Sequence, residues 1–160
     1  MAQAPDSAIR NMEGCVMLAL STFRQSEKAI DIALEKAQQA KKLMVVYVAD
    51  VNLARYFVDV EPGFFGELRE TCEEDLLKQH EKTGRQHVAA ITARAEKEGI
   101  EVRSYSQIGR FAVVCLEIVE QVKPSLIVTT RSKRPEWVRK FFGAPVDDLV
   151  SNAGCTVTVV

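Results

Sequence analysis

Short strand-like runs alternate with stretches of helical period along nearly the whole chain, and that alternation leaves few folds open. Cys15 to Leu20 is a continuous apolar run, suited to a strand buried on both faces. Ser26 to Lys41 follows with helical spacing, placing Ala29, Ile30, Ala33, Leu34 and Ala37 on one stripe. Leu43 to Ala49 is a second strand, rich in β-favouring residues. Asp50 to Gly66 is irregular and carries Tyr56, Phe57, Phe64 and Phe65. Helix formers run from Glu67 to Lys97 with Leu77, Val88, Ile91 and Ala95 as the apolar stripe, and Gly99 is placed to end that helix. Glu101 to Gln107 is a shorter, more polar strand, which suits an edge. Phe111 to Val122 is the next helix, with Ala112, Cys115, Leu116 and Val119 inward. Leu126-Ile127-Val128 opens a fourth strand, Pro145 to Ser151 a short helix, and Cys155 to Val160 the fifth strand. Right-handed crossovers then give an α/β fold: a doubly wound, five-stranded parallel sheet of order 3-2-1-4-5 with helices on both faces.

The 160 residues are expected to form one domain, with 1–13 as a flexible leading segment. A hydrophobic content of 47% supports a sizeable core, and a net charge of −1 gives no overall attraction to nucleic acid or anionic membrane. No apolar run has the length of a membrane span, and the N-terminus lacks a signal peptide's apolar core, so a cytoplasmic location is expected. Cys15, Cys72, Cys115 and Cys155 are widely spaced, without a C-x-x-C pair. Three sit in apolar surroundings and read as buried free thiols, while acids flank Cys72 and hold its reactivity down. His80 and His87 are too far apart on their helix for i, i+4 metal ligation and are expected to face solvent. No metal site and no catalytic triad is expected.

The segment from Thr129 to Pro145 carries the local chemistry. It follows the fourth strand, where a doubly wound sheet presents its ligand crevice, and it sets Arg131, Lys133, Arg134, Arg139 and Lys140 against a single acid, Glu136. Trp137 and Phe141 sit one helical turn apart within it and are expected to pack together in a core or interface.

Several ordered motifs resemble the universal stress protein family from about Gly14 to Val160. Val16 to Thr22, followed by Ser26 and Ala29-Ile30, is similar to the family's first strand, turn and helix. Val46 to Asp50 is similar to the end of its second strand, Gly109 to the glycine entering its third helix, and Ala153 to Val160 to its closing strand. The resemblance implies an adenine-nucleotide alpha-hydrolase-like fold. It also implies a nucleotide crevice at Ala19, Leu20, Ser21 and Val48, continued by Thr129, Thr130, Ser132, Lys133, Gly143, Ala144 and Pro145, with Arg131 and Arg134 as phosphate contacts. Family members that bind ATP carry G-x-x-G-x9-G-[S/T]. Here those positions are Thr130, Lys133, Gly143 and Ala144, so one glycine remains and the hydroxyl is gone; Ser21 stands at the family's strand-end acid.

The substitutions bear on mechanism. Backbone N–H groups cradle phosphate only where the chain can approach closely, often with positive φ, which threonine and lysine resist. Pro145 has no N–H, and Asp147 and Asp148 lie in the turn that would face the phosphate. The expectation is a regulatory or binding module with a degenerate ATP loop and no catalysis. Alternatives are ATP, ADP or another phosphate-bearing ligand gripped by Arg131, Lys133 and Arg134, or weak ATPase activity using Asp50, the sole carboxylate near the crevice. The aromatics between Tyr56 and Phe65 offer a lid, a dimer surface or a sheet cover. An apolar edge strand at Cys155 to Val160 favours a homodimer through that strand, as the resemblance also implies.

Overall fold

The computed structural model describes residues 9, 11–22, 24–51, 67–131 and 145–160, with side chains omitted at 67–73 and 145. In chain order the elements are β1 (Val16–Ser21), α1 (Glu27–Ala40), β2 (Lys42–Asp50), α2 (Glu67–Lys97), β3 (Glu101–Gly109), α3 (Phe111–Val122), β4 (Leu126–Thr129), α4 (Pro145–Asn152) and β5 (Thr156–Val159). The sheet order is β3-β2-β1-β4-β5 and every pairing is parallel. β1, the central strand, is buried at all six positions, as its uninterrupted apolar run requires.

Strand alternation divides the core into two layers. Val16, Leu18 and Leu20 of β1 face α1 and α2, together with Val45 and Tyr47 of β2. Met17 and Ala19 face α3 and α4, together with Val46 and Val48. Met12 is fully buried in this second layer and Ile9 nearly so, so the core draws on the segment expected to be flexible.

Helix ends sit where local chemistry puts them. Ser26 is the N-cap of α1, its hydroxyl accepting from the Ala29 N–H at 3.2 Å. Gly99, at φ +73°, closes α2 in a Schellman motif. The Ile100 N–H donates to the Ala95 carbonyl and the Gly99 N–H to the Glu96 carbonyl, both at 3.1 Å. The α1 stripe is as expected, and so is that of α2. In α3 the inward stripe is Phe111, Val114, Cys115, Ile118, Val119 and Val122, while Ala112 and Leu116 are only half-buried. The helix is rotated so that Phe111 and Ile118, rather than Ala112 and Leu116, meet the sheet.

The histidines correct the sequence reading. His80 and His87 are half-buried, with Nδ1 of His80 and Nε2 of His87 shielded from solvent. The cause is Gly84, which lies between them and lets α2 settle directly on the Tyr47 ring. Burial lowers the His80 pKa from its ordinary 6.5. The neutral form is thus favoured in the fold, and the unfolded chain takes up the proton first as pH falls. The contribution is full above about pH 6.5 and is lost below it. Urea denaturation at pH 7.5 and pH 5.5 should therefore show a larger loss for the wild-type chain than for His80→Gln; equal losses would contradict this.

Candidate functional site

The carboxyl ends of β1 and β4 meet at the point where strand order reverses, and a polar cluster sits there inside the second core layer. By alternation Ser21 follows Met17 and Ala19, Asp50 follows Val48, and Thr129 follows Ile127, so all three side chains project to the α3 side. Leu20 does not join them; it belongs to the opposite layer. Ser21 and Thr129 are fully buried, and Asp50 is 1% exposed.

The strand ends are tied to one another rather than left open. The Thr129 hydroxyl donates to the Ala19 carbonyl at 2.8 Å, bridging β4 to β1. The Thr130 hydroxyl donates to the Val160 carbonyl at 2.8 Å, and the Val160 N–H donates to the Thr129 carbonyl at 2.9 Å. Thr130 thus spends its side chain on the Val160 carbonyl. Burial of its hydroxyl without such a partner would be unfavourable. The Ser21 hydroxyl is also buried, and it has no hydrogen-bond partner among the described residues.

Across this junction lies a residue that the sequence reading overlooked, Arg24. It closes a tight turn after β1, its N–H donating to the Ser21 carbonyl at 3.0 Å. The residue is 2% exposed. The guanidinium carbon stands 4.5 Å from the centre of the Phe111 ring, at the start of α3, and Nη1 donates to the Thr130 carbonyl at 3.5 Å. A guanidinium over an aromatic ring is worth about 2 kcal/mol when desolvated. Arg24 therefore joins the end of β1 to the residue after β4 and to the first turn of α3. Nothing in Thr22-Phe23-Arg24-Gln25 marks the arginine as buried, since loop arginines usually face water.

Asp50 and Arg24 share this compartment, for both charges reach the buried Cys115. Desolvation pushes the Cys115 thiol far above its ordinary value, with Arg24 pulling it down and Asp50 pushing it up. Burial likewise pushes Cys15 up to about 12, so neither thiol is poised for nucleophilic chemistry. Cys155 is only half-buried, in contrast to the expectation for it. It directly precedes β5, the edge strand of the sheet.

Of the basic segment, Arg131 is described, and Asp147 holds it: Nη1 lies 3.4 Å from Oδ1 of that carboxylate. Both side chains are more than half exposed, so the pair contributes little to stability, but it sets the guanidinium against the first turn of α4. Ser132, Lys133, Arg134, Gly143 and Ala144 lie outside the described residues, as do Trp137, Phe141 and the aromatics from Tyr56 to Phe65. Among the described residues, no group of three or more His, Cys, Asp or Glu could hold a metal ion, and no helix is long and apolar enough to cross a membrane.

The sequence matches the universal stress protein family over residues 15–160. The chain belongs to this family. Solved universal stress proteins share its fold at low identity. UspA from Lactobacillus plantarum superposes with a TM-score of 0.67 at 15% identity, covering 92% of this chain and 98% of that one. A universal stress protein in complex with cAMP gives 0.55 at 14% identity, covering 92% and 97%. A universal stress protein family protein from Arabidopsis thaliana with AMP bound gives 0.53 at 12%, covering 91% and 90%. No curated protein matches the chain by sequence.

Proposed function

We propose that this universal stress protein is a non-catalytic, dimeric binding or regulatory module whose ancestral nucleotide site no longer takes ATP or ADP in the family's manner. The observation that carries the reading is Arg24, whose buried guanidinium lies across the ends of β1 and β4. Three further facts support it. Ser21 replaces a strand-end carboxylate, Thr130 is hydrogen-bonded to Val160, and Arg131 faces Asp147. β5 has β4 as its partner, and Val157, Val159 and Val160 stay half-buried, so a second β5 across a two-fold axis would cover both edges.

Titration calorimetry with Mg-ATP, ADP and AMP tests the reading. Heat of binding should be absent at ligand concentrations up to about 1 mM, and the same sample should sediment as a dimer. A Kd of about 10 μM or tighter, roughly −7 kcal/mol, would refute the degeneration argument. The second reading is a nucleotide-binding stress protein, which the AMP and cAMP complexes of its structural neighbours favour. Slow ATP hydrolysis abolished by Asp50→Ala would promote it.

A further inference from the structure

We infer that Arg24 is the specificity-determining residue of the crevice, an internal group standing where a planar ligand with N–H donors would otherwise lie. The inference rests on the reading just given and says which atom set enforces it. A guanidinium is flat, delocalised and carries its donors in its own plane. A nucleobase shares these properties: a π-face that stacks on aromatic rings and an edge that bears N–H groups. Arg24 meets the partners such a base would need. Its guanidinium stands over the Phe111 ring at 4.5 Å and donates to the Thr130 carbonyl at 3.5 Å. The fully buried Ser21 hydroxyl in the Arg24 turn has no hydrogen-bond partner among the described residues, which marks a polar position built without its counterpart there. Arg24 is also tethered. The Ser21–Arg24 turn is closed in both directions, with N–H to carbonyl distances of 3.0 and 3.4 Å, so the side chain starts inside the fold. Leaving the crevice would strip it of the ring and the carbonyl together.

Adenosine is the informative probe, because it lacks phosphate and so reads the crevice independently of the basic segment. The wild-type chain should not bind it at millimolar concentration, and the Nε–H resonance of Arg24 should stay in place. Arg24→Ala should gain at least about tenfold in adenosine affinity, with Phe111 ring resonances shifting on binding. Adding Phe111→Leu to Arg24→Ala should remove that gain. Arg24→Gln, shorter and neutral, should show a smaller gain, and it carries the test if Arg24→Ala fails to fold. A folded Arg24 variant that binds adenosine no better than wild type would overturn the inference, as would a gain that survives Phe111→Leu. Displacement of the Arg24 Nε–H signal by adenosine in the wild-type chain would overturn it too, since base and guanidinium would then share the cleft. Tight binding of ATP by the wild-type chain through its phosphates, without any change at Arg24, would sink the wider reading instead.

Discussion

Gly84→Ala is expected to destabilise the protein by about 3 kcal/mol, the upper end of what overpacking a close-packed core costs. A β-carbon at Gly84 would stand 2.1 Å from Cε1, 2.3 Å from Cδ1 and 2.5 Å from Cζ of Tyr47. The ring has no simple retreat. Tyr47 is fully buried among residues of the first core layer, and its hydroxyl donates to the Thr22 hydroxyl at 3.3 Å. Either α2 must lift from the sheet or the ring must leave its contacts. The sign is informative, because alanine in an exposed helix interior is favoured over glycine by about 1 kcal/mol. For a chain of this size the melting temperature should drop by roughly 6–12 °C. A double-mutant cycle supplies the cause: in a Tyr47→Leu background Gly84→Ala should cost much less. A neutral or stabilising Gly84→Ala would show that the helix does not rest on the ring.

The second large effect is at the buried charges. Arg24→Ala and Asp50→Ala should each cost about 3 kcal/mol, because each removes a buried charge and disrupts the polar contacts that its burial depends on. Arg24 is 2% exposed and Asp50 is 1% exposed, so water cannot readily replace the lost group. Opposite charges that both act on the Cys115 thiol are expected to stabilise each other through space as well. The double variant Arg24→Ala/Asp50→Ala should therefore cost less than the two single changes added together, by about 1–3 kcal/mol. Chemical denaturation of the four proteins at pH 7 measures this, and strict additivity would refute the coupling.

Much of the architecture could be read from residues close in the chain. α2 runs from Glu67 to Lys97 as its helix formers indicated, Ser26 caps α1, and Gly99 terminates α2. These features depend on local geometry: a hydroxyl within reach of an N–H three residues on, or a φ that only glycine adopts freely. The strand order also followed, because parallel strands joined by right-handed crossovers leave few arrangements. At the candidate site the same reasoning located the carboxyl ends of the strands. It did not find Arg24, and it sent His80 and His87 to the surface.

Those misses share one origin. Whether an arginine in a loop is solvated or stacked on Phe111 depends on residues 87 positions away in sequence, and the closeness of α2 to β2 depends on Gly84 meeting Tyr47. Hydrophobic period and turn chemistry, acting over a few residues, determined the elements and their order. Packing between distant segments decided which polar groups were drawn out of water, because desolvation is a property of the assembled surroundings and not of any local stretch of chain.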